Sequence, residues 1–271
     1  MFKINNLTYQ YDKTRKALDN VSMDFNKGNI IGIIGSNGSG KSTLFNNLMG
    51  ILKSTEGEIL YNGEQIKYDK KSLYNLRKEV GIVFQDPEKQ IFYSMVYDDI
   101  AFALRNIGID EKTIKERIHT ALEAVNGLQF IDRPVHNLSF GQKKRVAIAS
   151  VVAMENKLVL LDEPTAGLDP ISTRAIVDII KGLNKRGVKI VISSHDMNLI
   201  YEICDYVYVL NQGELINEGT REEVFINEEK IDEAGLELPW LVKLHKNMGL
   251  PLFTKEQDLY SYWNHREQKT V

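Results

Sequence analysis

The sequence predicts an α/β protein built on a mainly parallel sheet. Short apolar runs alternate with amphipathic helical stretches through most of its 271 residues. A glycine-rich loop, Gly35-Ser36-Asn37-Gly38-Ser39-Gly40-Lys41-Ser42-Thr43, joins one such run to a helix and matches the pattern Gly-x4-Gly-Lys-[Ser/Thr] of phosphate-binding loops. Residues 2–9 and 18–25 alternate apolar and polar side chains, which predicts an antiparallel start feeding that loop.

Taken in order, Phe2, Ile4, Leu7 and Tyr9 mark a half-buried strand, followed by a polar turn over Asp12–Lys16. Leu18, Val21, Met23 and Phe25 mark a second strand, and Asn26-Lys27-Gly28-Asn29 reads as a hairpin turn. Ile30–Ile34 is a buried strand, and Ser42–Met49 a helix with Leu44, Phe45, Leu48 and Met49 on one side. Strand, glycine loop and helix together are the context a phosphate loop needs. Backbone N–H groups turn inward on a polyphosphate, and the helix N-terminus adds partial positive charge. Lys41 then reaches the β/γ-phosphates, and the Ser42 hydroxyl a Mg2+ ion. An aromatic just upstream, Tyr11, is placed to stack on a purine base.

Gly57–Gly63 reads as strand and turn, Lys71–Lys78 as helix, and Val80–Phe84 as a strand that Asp86-Pro87 breaks, leaving Gln85 at a strand end. Residues 96–108 and 110–125 form two amphipathic helices, with apolar faces at Ile100, Ala103, Leu104 and at Ile114, Ile118, Leu122, Val125. They predict an all-helical insertion. After a loop over Gly127–Asn137, Ser139 is a good N-cap for a helix running to Met154. Leu158–Leu161 is an apolar strand ending in Asp162-Glu163, and a tight turn over Ala166–Pro170 starts a helix to about Lys185. Val188–Ser193 is buried strand ending at Ser194-His195-Asp196, Met197–Ile203 a helix, and Tyr206–Leu210 a strand. From about Arg221 the tail is rich in Glu, then in Leu, Pro and Trp.

Composition narrows the function classes. The chain is 43% hydrophobic and 26% charged with a formal charge of -3, which suits a compact soluble protein with no global drive toward nucleic acid or anionic membrane. Its one cysteine, Cys204, lies among apolar residues as a core thiol does, and a cytosolic setting fits. No run approaches the about 18–20 apolar residues of a membrane span, and Met1–Leu7 lacks a signal-peptide core. A membrane role therefore has to come through a partner.

Three separated motifs agree in kind and order: the phosphate loop at 35–43, Leu138-Ser139-Phe140-Gly141-Gln142, and Leu160-Leu161-Asp162-Glu163-Pro164-Thr165-Ala166-Gly167-Leu168-Asp169. On these the chain resembles the ATP-binding cassette (ABC) ATPases over roughly residues 1–225. Gln85-Asp86-Pro87-Glu88-Lys89-Gln90-Ile91-Phe92 narrows the resemblance to the energy-coupling-factor importers, including cobalt-type CbiO ATPases.

The resemblance implies a P-loop NTPase (RecA-like) α/β core with an antiparallel β subdomain and an α-helical signature subdomain at about 90–155. A C-terminal extension would cover 226–271. It implies ATP and Mg2+ as cofactors, with Ser42, Gln85 and Asp162 at the metal, Glu163 as general base, and His195 on the γ-phosphate. Two cassettes, alike or related, would meet head to tail. Ser139, Phe140, Gly141 and Gln142 would act in trans, and Asp169 would cross the dimer interface. Phe140 departs from a position that is commonly glycine. Gln90 would add a polar group near the site or the coupling groove.

The implied partners are a transmembrane coupling subunit, set against the groove near Gln85–Phe92 and the helical insertion with Phe92, Tyr93, Met95 and Tyr97 as an apolar patch, and a substrate-capture membrane subunit. The protein would lie peripherally on the cytoplasmic face of the cell membrane. Two other readings share the loop: a soluble cassette ATPase acting on ribosomes or nucleic acid, and a small-molecule kinase. The stretch from Lys41 to Ser139 is too short for a long coiled-coil arm, and no basic stretch supports a nucleic-acid partner. The Ser139 and Asp162-Glu163 motifs argue against a kinase.

Overall fold

The computed structural model describes residues 1–12 and 15–267. The order of elements is β1 (Phe2–Gln10), β2 (Lys16–Asp24), β3 (Ile30–Ile34), α1 (Lys41–Leu48), β4 (Glu56–Tyr61), β5 (Glu64–Gln65), α2 (Lys70–Glu79) and β6 (Val80–Val83). Then follow α3 (Val96–Asn106), α4 (Glu111–Ala124), α5 (Phe140–Ala153), β7 (Leu158–Asp162), α6 (Pro170–Lys185), β8 (Lys189–Ser194), α7 (Met197–Ile203), β9 (Tyr206–Asn211) and β10 (Glu214–Thr220). Four helices close the chain: α8 (Arg221–Ile226), α9 (Glu228–Glu233), α10 (Trp240–Met248) and α11 (Glu256–Glu267).

A six-stranded sheet runs β10-β9-β3-β8-β7-β6, and the pairs β6–β7, β7–β8, β8–β3 and β3–β9 are parallel. Its central strands β3 and β7 are buried at every position, as continuous apolar runs covered on both faces should be. A four-stranded antiparallel sheet, β2-β1-β4-β5, packs beside it. The predicted hairpin at Asn26–Asn29 is corrected here. β2 and β3 do not pair, and the turn carries the chain from one sheet into the other. Turn composition is the same in either case, so the sequence pattern did not separate them. The predicted turn over Asp12–Lys16 falls partly on residues 13–14, outside the described residues.

Parallel strands place their carboxyl ends on one edge. That edge carries the glycine loop after β3, Gln85 after β6, Asp162-Glu163 at the end of β7, and Ser194-His195 at the end of β8. Ligands of open α/β sheets bind outside such an edge.

The helical insertion is a three-helix cluster in which Ile100, Leu104, Ile114, Ile118, Leu122 and Val125 are fully buried. Ala101 is fully buried, whereas Ala103, expected on the apolar face, is only half-buried. α5 is pinned to β6 where Gly81 lacks a side chain; a Cβ there would come within 2.2 Å of Val151 Cγ1. The tail packs on its own chain. Val224, Phe225, Ile231, Leu241 and Val242 are buried in the same cluster as the strands β7 and β8. Among the described residues, no helix is long and apolar enough to cross a membrane.

Cys204 is a core residue with its Sγ against the Gly32 backbone, and burial pushes its thiol pKa well above the ordinary range. The native protein should therefore resist a thiol reagent and react stoichiometrically only in denaturant. Rapid labelling of the folded chain would contradict this packing.

Candidate functional site

The glycine loop adopts the backbone its composition allows. Gly38 (φ 80°) and Gly40 (φ 108°) are left-handed. A Cβ on Gly40 would sit 2.6 Å from Ala17 O, so that position accepts only glycine. α1 begins at Lys41 with no side-chain cap, leaving its first N–H groups directed at the loop. Lys41 Nζ donates to Gly35 O (2.7 Å) and Ser36 O (3.1 Å), which folds the lysine back over the loop. Burial lowers its pKa, and the Glu163 and Asp162 carboxylates oppose that shift. Ser39 Oγ is buried and has no hydrogen-bond partner among the described residues, which suits it to an anion's oxygen.

Around the loop lies a cleft of about 580 Å³ lined by Tyr11, Asn37–Thr43, Gln85, Glu163 and His195. Residues predicted from five separate stretches thus face one space. Tyr11 is 64% exposed, its hydroxyl is 3.2 Å from Thr43 Oγ1, and its ring meets Tyr9 edge-on. Gly35 and Ser36 do not line the cleft; they serve it as the acceptors of Lys41.

Glu163 is buried at φ 44°, a left-handed backbone that a side-chain-bearing residue holds only when its surroundings over-determine it. Its N–H donates to Ser193 Oγ (3.0 Å), and Ser193 Oγ donates to Asp162 Oδ1 (2.6 Å). Glu163 Oε2 accepts from the His195 ring Nδ1 at 2.8 Å, while that ring is mostly exposed. Ser42, Gln85 and Asp162 line an adjoining groove. A hydroxyl, an amide oxygen and one carboxylate make the sparse oxygen set that Mg2+ takes together with phosphate oxygens.

Ser139, Gly141 and Gln142 lie outside the cleft of their own chain. Ser139 caps α5 in a reciprocal box, Ser139 Oγ accepting from Gln142 N (3.3 Å) and Gln142 Oε1 from Ser139 N (3.0 Å). Phe140 is 40% exposed and lines the groove with Ser42, Gln85 and Asp162; its ring folds back to 5.8 Å from Lys144 Nζ, and a Cβ on Gly167 would lie 3.5 Å from it. Asp169 caps α6, accepting from Ser172 N and Ser172 Oγ, and these bonds hold its carboxyl below the usual range.

Two expectations divide. Gln90 does not face the cleft. Its Oε1 accepts from Phe84 N and its Nε2 donates to Ala147 O, so it clamps the end of β6 to α5. In the predicted aromatic patch, Phe92 is 79% exposed and Tyr93 stacks on Phe102, whereas Tyr97 packs against the core.

Sequence reasoning missed Lys144, Ser193 and Arg15. Arg15, immediately before β2, lines the cleft. Ser193, polar and wholly buried in an apolar strand, was the readable signal for the Asp162 network. Lys144 is wholly buried; its Nζ donates to Gln85 O and to Glu163 O (3.1 Å). Burial draws its pKa down to about 8 against the charges of Asp162, Glu163 and Asp86.

Residues 18–166 match the ABC transporter family model. A cobalt import ATP-binding protein CbiO of Salmonella typhimurium is 45% identical over 269 residues, covering 99% of this chain and 97% of the relative. An energy-coupling factor transporter ATP-binding protein EcfA of Methanosphaera stadtmanae is 43% identical over 248 residues, 92% of this chain and 89% of the relative. Among solved structures, CbiO1 of Clostridium perfringens, described as part of the ABC transporter complex CbiONQ, superposes with a TM-score of 0.78. It is 40% identical and covers 92% of this chain and 98% of that one. A dimeric ATP-binding cassette in a post-hydrolysis state with ADP and Pi superposes at 0.73, 28% identical, over 82% of this chain and 99% of that one. With the cleft, the ordered motifs and these likenesses together, the chain belongs to the ABC transporter ATP-binding proteins, in the branch of CbiO and the energy-coupling-factor ATPases, and is an ATP hydrolase of that family.

Proposed function

We propose that this ATP-binding subunit of a cobalt-type importer works as one half of a cassette pair on the cytoplasmic face of the cell membrane. It powers uptake of a transition metal ion (cobalt or nickel) or a vitamin through a transmembrane coupling subunit and a separate substrate-capture subunit. The observation that carries this is a divided site. The phosphate loop, Glu163 and His195 face one cleft, while Ser139, Gly141 and Gln142 at the capped N-terminus of α5 do not line it. A helix N-terminus binds anions, so Ser139, Gly141 and Gln142 reach the γ-phosphate of the opposite protomer's nucleotide.

In that pair, the amides of Asn37–Thr43 and Lys41 hold the β/γ-phosphates, and Tyr11 stacks on the base. Glu163 takes a proton from the attacking water as its oxygen bonds to the γ-phosphorus and the bond to the β–γ bridging oxygen breaks. His195 orients that carboxylate and meets the γ-phosphate. Asp169 reaches across the interface. Ser42, Gln85 and Asp162 would hold Mg2+, which neutralises phosphate charge when bound. Phe140, folded over its own chain, leaves the Ser139 end of the helix free for the partner cassette. ATP must favour the closed pair over the open one for hydrolysis to move the membrane subunit. The exposed Phe92 and Tyr93 suit that contact.

Purification of the tagged chain from its own membranes, followed by co-expression with any membrane subunit it captures, tests the assignment. A hydrophobic subunit should co-purify, and reconstituted vesicles should accumulate labelled cobalt, nickel or a vitamin only with ATP. Sedimentation with ribosomes that nuclease abolishes would favour the ribosome-acting alternative instead.

A further inference from the structure

Lys144 sits on α5, five residues after Ser139, with no exposed surface. An ammonium is strongly disfavoured away from water unless it is paired and hydrogen-bonded. Here the acceptors are two main-chain carbonyls, those of Gln85 and Glu163. One side chain therefore ties the ends of β6 and β7 to the helix that carries the Ser139 motif.

α5 is fastened to the segment after Gln85 by two further links. Gln90 Nε2 donates to Ala147 O at 3.2 Å, and Lys143 Nζ pairs with Glu88 Oε1 at 2.5 Å. A shift of α5 against the sheet must carry Gln85 with it. Of the three ties, only Lys144 also reaches Glu163, whose left-handed backbone is held by Ser193 on its N–H and by Lys144 on its C=O. The Phe140 ring covers the ammonium from the outer side, so the residue that departs from the usual glycine also closes off Lys144.

We propose that Lys144 is a positioning residue for ATP hydrolysis, holding Gln85 and Glu163 in register with each other and with the helix whose N-terminus serves the opposite nucleotide. The inference rests on the roles proposed above for Glu163 and Ser139. It makes each protomer's carboxylate responsive to what its own α5 grips across the dimer.

The test is a cycle of Lys144→Met and Lys144→Gln, each in the wild-type and Glu163→Gln backgrounds, with single-turnover hydrolysis and ATP affinity measured and circular dichroism checking the fold. Lys144→Met should slow hydrolysis about 10- to 100-fold, the loss expected from a small misplacement of catalytic groups, while ATP affinity stays within about threefold. Lys144→Gln keeps an amide donor and should recover part of the rate. In Glu163→Gln, Lys144→Met should add less than about threefold, because groups acting as one unit are non-additive. A folded Lys144→Met protein that hydrolyses at the wild-type rate overturns the proposal, as does an equal loss in both backgrounds. If Lys144→Met does not fold, Lys144→Gln is judged by the same criteria with a smaller expected loss. A wild-type rate in Glu163→Gln alone would instead remove the base assignment, and this inference with it.

Discussion

Replacing Glu163 with Gln is expected to cut steady-state ATP hydrolysis by about 100- to 10,000-fold, the range that a positioned general base supplies. ATP binding should persist. The amide is isosteric and keeps an oxygen toward the His195 ring, which approaches the native carboxylate at 2.8 Å. The backbone of residue 163 stays anchored by Ser193 and Lys144. What is lost is the ability to accept a proton from water at neutral pH. With chemistry blocked and ATP retained, the cassette pair should accumulate as a closed dimer, readable by size-exclusion chromatography with and without ATP. A variant that turned over at the normal rate would remove Glu163 from the reaction and leave its buried, left-handed placement without a chemical purpose.

Changing Lys41 to Ala should weaken ATP binding itself, by about 100-fold if removal of one partner of a buried charge pair lies in its usual 2–5 kcal/mol range. Two effects add. The phosphates lose a cation, and Gly35 O and Ser36 O lose the donor that holds the loop folded around them. Lys41→Arg separates the two, since it keeps the charge but not the compact point donor that reaches both carbonyls. It should bind ATP better than Ala and less well than Lys. Calorimetric titration with ATP reads the series directly, and an undiminished affinity in Lys41→Ala would move the phosphates away from this loop.

These expectations draw unequally on sequence and on fold. The glycine loop was legible because left-handed glycines and a strand–loop–helix context are local properties. So were the capped start at Ser139 and the cap at Asp169, where a polar side chain satisfies N–H groups two or three residues ahead. The alternation of apolar runs told the parallel sheet. The turn after β2 was misread as a hairpin because pairing partners are not written in a turn; β1, not β3, takes β2 as its neighbour. Gln90 was expected near the site or the coupling groove; its amide is spent on Phe84 N and Ala147 O, which nothing along the chain foretold, since the sequence does not say which way a half-buried amide faces.

By itself the sequence determined which short segments fold and which chemical groups stand at their ends, because helix caps, glycine turns and apolar periodicity act within a few residues. Only the tertiary structure decided which of those ends meet. The parallel order of β3, β8, β7 and β6 sets the loop, His195, Glu163 and Gln85 along one edge, and α5 folds back to bury Lys144 between two of them. A lysine's sequence surroundings read as solvated helix surface. Its burial against carbonyls just past the ends of β6 and β7 arises from packing over long chain separations, where the free energy of excluding water, not local propensity, selects the partner.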